Sequence, residues 1–222
     1  MYFLTTTLLL GWLIWASPVL ADSTLPEKQG CSSCHRFSAE ESPESHKAPD
    51  LFYAGNKFQK SWLEKFLQTP VVVRKAGTST DPDFLKASST LAPPHPTLSG
   101  KEALAMVDYL MSLSMPGLAK GNVDDAPLSK GNKVRIKILF ERNYGCIACH
   151  EGINLAGQAR GGISGPSLAN AGNRLTADWV FNWLKTPKKF IARGRMPFYN
   201  LDDESAIKLT KYIMSLKIGD WD

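Results

Sequence analysis

Two short segments, Cys31-Ser32-Ser33-Cys34-His35 and Cys146-Ile147-Ala148-Cys149-His150, hold every cysteine of the 222-residue chain. A CxxCH pattern sets two thiols close enough to bond both vinyl groups of one porphyrin, with a histidine beside them to ligate the iron, and so reads as a haem c attachment site. A chain carrying two such groups must build its cores around them, which limits the fold more than any composition figure does. Taken singly, either segment would also suit a thioredoxin-like redox pair, half of a zinc site or coincidence. The surrounding sequence weighs against those readings, because both segments sit inside a longer repeat.

Laid side by side, the halves match in order. CxxCH recurs at an offset of 115, Ala48-Pro49-Asp50-Leu51 matches Gly165-Pro166-Ser167-Leu168 at 117, Trp62-to-Pro70 matches Trp179-to-Pro187 at 117, and Leu110-Met111-Ser112-Leu113 matches Ile213-Met214-Ser215-Leu216 at 103. One unit used twice, with about a dozen residues inserted in the first copy before its closing segment, accounts for the series. Helical signals recur at matching places. Ser61 and Glu64 read as a capping box opening a helix that ends at Thr69-Pro70, and Ser99 with Glu102 opens one through Leu113 with Leu104, Val107, Leu110 and Met111 at helical spacing. In the second half, Val134, Ile138 and Tyr144 suggest an amphipathic helix, Thr176 to Lys185 another, and Asp202 caps a last helix through Leu216. Residues 71–94 and the glycine-rich stretch 152–165 read as loops. The expected class is all-α: a domain over 22–118, a linker over 119–130 and a domain over 131–222.

The first 21 residues are uncharged, with an apolar run from Leu8 to Trp15 and the small-residue ending Val19-Leu20-Ala21. That reads as a secretory signal cut after Ala21, with an uncleaved N-terminal anchor as the competing reading. No later apolar run approaches the roughly 20 residues that span a bilayer. Export puts the chain in the periplasm, where four thiols would otherwise pair, yet all four lie within CxxCH.

The second half resembles a class I cytochrome c domain on Leu139-Phe140-Glu141 before Gly145-Cys146, CxxCH, Gly165-Pro166-Ser167-Leu168, a Trp-containing helix, and Arg195-Met196-Pro197 before the final helix. The first half resembles it less fully, since only nine residues, Asp22 to Gly30, precede Cys31 and leave no room for the usual N-terminal helix. The helix face that such a segment would cover is expected to be bare and covered by the second half or a partner. The resemblance implies a dihaem cytochrome c. It implies that Pro166, and in the first half Pro49, offers its carbonyl to the proximal histidine, and that Met196 is the distal ligand of the second haem. Aligning the closing helices sets His95-Pro96 against Met196-Pro197, so His95 is the expected distal ligand of the first. His46 and Met115 are rivals; Met106, Met111 and Met214 read as core.

Thioether sulfur donates less charge to ferric iron than imidazole does, so a His35/His95 haem should lie below a His150/Met196 haem in potential. The expected function is therefore periplasmic electron transfer, single electrons passing from a lower-potential donor through the first haem to the second and on to a higher-potential acceptor. A dihaem enzyme of the peroxidase or thiosulfate-oxidising kind, and a subunit of a larger oxidoreductase, are the alternatives. Charge favours a protein acceptor with an acidic surface. Asp22–Ala119 holds ten Lys and Arg against eleven Asp and Glu, a balance of −1, whereas Lys120–Asp222 holds sixteen against ten, +6, with Lys185, Lys188, Lys189, Arg193 and Arg195 crowded before Met196. Nucleic acid is not an expected partner of an exported haem protein, and membrane association would follow only from an uncleaved N-terminal segment or a redox complex. The CxxCH repeat predicts that the denatured protein retains two covalent haems; intact mass measurement would show both additions, and free thiols or a Cys31–Cys34 disulfide would reject the first.

Overall fold

A computed structural model describes residues 22–42, 48–76, 95–191 and 194–218. The N-terminal apolar segment with its expected cut after Ala21, the rival ligand His46, the basic residue Arg193 and most of the stretch before His95 lie outside the described residues. The described chain is mostly helical. Among the described residues no helix is long and apolar enough to cross a membrane.

The first half runs through α1 (Leu25–Lys28), a 3₁₀ turn over Cys31–Ser33, α2 (Ala54–Lys57), α3 (Lys60–Gln68) and α4 (Gly100–Ser112). The predicted capping box at α4 forms: Ser99 Oγ accepts from Glu102 N while the Glu102 carboxylate accepts from Ser99 N. Its buried face is Ala103, Met106, Val107 and Leu110. Leu104, expected in the core, is 45% exposed. At α3 the expected cap is wrong by two residues. The helix opens after Gln59, whose extended backbone is tied across the molecule, so Ser61 falls inside the first turn. Thr69 closes it, as the residue before Pro70 must leave the helical region.

α1 is a single turn, as the short N-terminal stretch allows. The helices packed on α4 are α1, α2 and α3, all from its own half. The exposed face of α4 carries Lys101, Glu102, Ala105 and Asp108 beside Leu104, so the expected cover from the second half is not there and little apolar surface calls for it.

The second half comprises α5 (Lys130–Ile138), which continues as a π-helical turn over Leu139–Asn143, a 3₁₀ turn over Cys146–Ala148, a hairpin of β1 (Glu151–Ile153) and β2 (Ala159–Gly161), α6 (Ala171–Arg174), α7 (Ala177–Lys185), α8 (Pro187–Phe190) and α9 (Asp203–Met214). α5 packs with Ile136 and Phe140; Val134 and Ile138, the expected core face, are 57% and 47% exposed. The stretch expected to be loop is an antiparallel hairpin pairing Glu151 with Gly161 and Ile153 with Ala159. Asn154 closes it, its side-chain oxygen accepting from the Ala156 and Gln158 N–H groups. Asp202 caps α9 as expected, and Thr176, expected as the first helical residue, is instead the cap of α7.

The halves meet about an approximate twofold axis. Gln59 N donates to Arg174 O at 2.9 Å and Thr176 N donates to Lys57 O at 3.0 Å, a reciprocal antiparallel pair around the Phe58–Leu175 bridge. Both residues of each bond shift by 117 to give the other bond. Side chains follow the same exchange: Lys57 Nζ lies 5.7 Å from the Trp179 ring centroid and the Arg174 guanidinium 5.9 Å from that of Trp62. Tyr53, Trp179 and Phe190 fill the space beside the axis, with Tyr53–Trp179 centroids 4.6 Å apart. The expected linker is tied down too. Asn182 bonds both the N–H and the C=O of Ala119, Asp178 accepts from Gly121 N, and Lys211 pairs with Asp124 at 2.6 Å.

Each half also buries a glycine against the end of its closing helix. Gly55 N donates to Leu113 O and Gly172 N to Leu216 O, both at 2.9 Å, and a Cβ at Gly172 would stand 2.0 Å from Met214 O. Gly172→Ala should therefore destabilise the fold by about 1–3 kcal/mol, the usual cost of overpacking. Gly131→Ala, on an exposed turn of α5 with open space around it, should be neutral or mildly stabilising. Thermal denaturation of the two variants checks the contrast.

Candidate functional site

Both CxxCH segments fold alike. A glycine with positive φ, Gly30 at 70° or Gly145 at 62°, turns the chain into a 3₁₀ turn holding the first cysteine. The histidine N–H then bonds the first cysteine's carbonyl, His35 N to Cys31 O at 2.9 Å and His150 N to Cys146 O at 3.0 Å. Each imidazole is thereby held beside its thiols. Burial pushes the Cys31 thiol up, and that of Cys146 up to about 11.

His35 Nδ1 lies 2.7 Å from Pro49 O and His150 Nδ1 lies 2.8 Å from Pro166 O. A carbonyl only accepts, so Nδ1 carries the proton and Nε2 presents a lone pair to a metal. Burial lowers the pKa of both imidazoles, which favours the neutral, ligating form. The second loop packs so closely that a Cβ on Gly165 would meet the His150 ring at 2.5 Å. The first half has Ala48 at the corresponding position, so its loop passes the ring differently.

Opposite His35 stands His95, with ring centroids 6.2 Å apart. Its Nδ1 is satisfied in the same way, by the Pro96 carbonyl at 2.9 Å. An imidazole nitrogen binds a first-row metal at about 2 Å, so two imidazoles on opposite sides of one ion, each ring centre about 1 Å behind its nitrogen, stand about 6 Å apart. The separation fits one iron between the two rings. Phe66 packs against His95 with centroids 5.2 Å apart. In the second half the residue 117 positions after Phe66 is Trp183, and its Nε1–H donates to Met196 Sδ at 2.9 Å. The same helix position thus supports His95 in one half and Met196 in the other.

The loops that carry the prolines are closed by ion pairs. Arg36 forms two hydrogen bonds to the Asp50 carboxylate and a third to Glu41 O, and its guanidinium lies 4.9 Å from the Phe52 ring centroid. Glu151, which follows His150, pairs instead with Lys75 at 2.5 Å. Neither pair was anticipated from sequence. Nor were the buried Arg174 and the partly buried Lys57, which sit one turn before the tryptophan helices. Desolvation pushes Lys57 down to about 7, helped by Arg174, and Arg174 down to about 10. The signal was present as Ala54-Gly55-Asn56-Lys57 against Ala171-Gly172-Asn173-Arg174, a repeat at the offset of 117 already in hand. Two desolvated cations, Lys57 near His35 and Arg174 near His150, suit a cofactor that brings carboxylates of its own, and a haem carries two propionates. The donor set, the imidazole geometry and these cations all fit haem c. Among the described residues, no group of three or more His, Cys, Asp or Glu side chains converges as a zinc site would require.

The basic segment before Met196 is partly engaged. Lys185 Nζ binds Asp203 and Leu201 O, both at 2.7 Å, and Lys189 reaches Gly117 O at 3.2 Å; the Lys188, Lys189 and Arg195 residues are all exposed.

The family model for cytochrome c matches residues 134–217, from α5 through the second CxxCH to just past α9. No curated protein and no solved structure matches the chain. The matched segment implies covalently bound haem c and haem-based electron transfer.

Proposed function

We propose that this chain is a dihaem c-type cytochrome of the periplasm that carries single electrons between redox proteins, with a cytochrome c domain in each half. The carrying observation is the repeated geometry of the two sites. Each CxxCH turn holds an imidazole whose Nδ1 is bonded to the proline carbonyl of the same repeat position, and one helix position backs a candidate distal ligand in each half. Cys31, Cys34, His35 and His95 would hold the first haem; Cys146, Cys149, His150 and Met196 the second. Each haem, when bound, supplies a one-electron iron centre whose potential follows its axial ligands over a span of roughly 0.8 V. The residues decide the order. His95 offers a stronger donor than the Met196 thioether, and Trp183 draws further electron density from that sulfur by donating a hydrogen bond to it. The second site therefore holds the higher potential, and electrons run from the first half to the second. Residues 1–21 support export, and the Arg36–Asp50 and Lys75–Glu151 pairs hold the proline loops in place.

A spectroscopic redox titration tests this reading. Two low-spin haems should titrate separately, with a methionine-to-iron charge-transfer band from the higher one alone. His95→Ala should move only the lower potential; if His46→Ala does so instead, or neither variant acts, His95 is not the ligand.

The acceptor face is proposed to be the basic surface before α9, where Lys188 and Arg195 project. Charge steering of this kind raises association rates by about 10 to 1,000-fold and fades with salt. Stopped-flow oxidation by anionic hexacyanoferrate(III) should slow as ionic strength rises. Lys188→Glu should slow it more than Lys101→Glu on the exposed face of α4, and equal effects would reject the assignment of the face.

A further inference from the structure

Past α3, the described segment leaves the first half's own site. Residues 71–76 run onto the loop that supports His150. Ser167 N donates to Val73 O at 2.7 Å, Arg74 Nη2 donates to Ser164 O at 2.9 Å, and Lys75 Nζ pairs with Glu151 at 2.5 Å. Ala76, 4% exposed, anchors the end of the segment. These contacts bracket the proximal support: Glu151 follows His150, its carbonyl accepts from Leu168 N, and Ser164 and Ser167 flank Gly165-Pro166.

The repeat shows what this segment replaces. The counterparts of Glu151 and Ser167 in the first half are Arg36 and Asp50, and there the two side chains pair with each other, 10% and 15% exposed, to close their own proline loop. In the second half the same positions hold a carboxylate and a hydroxyl, and the Glu151 side chain is 9% exposed. A carboxylate at that depth needs a cation, and the one it has comes from the other half.

On the reading that both sites hold haem, we infer that residues 71–76 are a clamp through which the first half positions the proximal ligand of the second haem, with Lys75 as the positioning residue and Arg74 its electrostatic companion. The clamp does two things. It fixes the loop carrying Pro166 O, and so the orientation of the imidazole that this carbonyl holds. It also neutralises the Glu151 carboxylate and sets the Arg74 guanidinium beside the second site, which favours the reduced, less positive iron and holds its potential up.

The test uses full-length, doubly haem-loaded protein. Lys75→Gln should lower the midpoint of the higher-potential haem and leave the lower one in place, and Lys75→Arg should restore it. Hydrogen exchange at the Ser167 amide, bonded to Val73 O, should accelerate about tenfold in Lys75→Gln, as expected when a charged hydrogen bond holding a loop is lost. Unchanged Ser167 exchange, or a shift shared equally by both haems, overturns the clamp. Failure of the dihaem reading would show separately, as a wild-type titration with one haem, and the exchange measurement would still decide whether residues 71–76 hold the loop.

Discussion

The hydrogen bond from each proximal imidazole to a proline carbonyl is the constraint on which the rest depends. A carbonyl offers no proton, so the bond fixes one tautomer and leaves the opposite nitrogen for a metal. Proline suits the role because its restricted φ stiffens the loop that delivers the oxygen. Delivering it means bringing a chain segment about fifteen residues away back over the CxxCH turn, and that return must be locked. Arg36 and Asp50 lock it in one half; Lys75 and Glu151 lock it in the other. The glycines against the closing helices, Gly55 and Gly172, set how near the following segment comes to those helices. What looks like a set of separate motifs is one loop with its supports, built twice.

Most of that was legible in sequence because it is local or repeats at a fixed offset. Ser99 and Asp202 cap the helices they precede, since a cap depends on three or four neighbouring residues alone. The proline pairing was implied by resemblance and appears in both halves. The misreadings have tertiary causes. Ser61 looked like a cap, but Gln59 is held extended by the second half, and the helix starts from there. Val134 and Ile138 looked buried from their spacing, yet the chain turns Ile136 and Phe140 inward as α5 widens into its π-helical turn. The hairpin was hidden because its strands are three residues long and glycine-rich, too short for an alternating pattern.

The contacts between the halves were the least legible part. Lys57 and Arg174 have compositions that suggest surface, and only their place in the repeat marks them as equivalent. Trp62 and Trp179 were read only as matching positions of the repeat, whereas each receives a cation from the opposite half. Nothing in a one-dimensional pattern distinguishes a residue that packs within its unit from one that packs on its twin.

The twofold pairing of residues 57–59 with 174–176 has a further consequence. A self-complementary face satisfies itself once and leaves no edge on which a third unit could add, so the arrangement is closed. Because both faces belong to one chain and the segment joining them is itself tied to α7 and α9, they meet at an effective concentration in the millimolar range or above. A contact patch too small to hold two separate molecules together can then stay shut. On the proposed dihaem reading, passage of an electron between the sites would be a first-order event within one molecule, with a rate that dilution leaves unchanged.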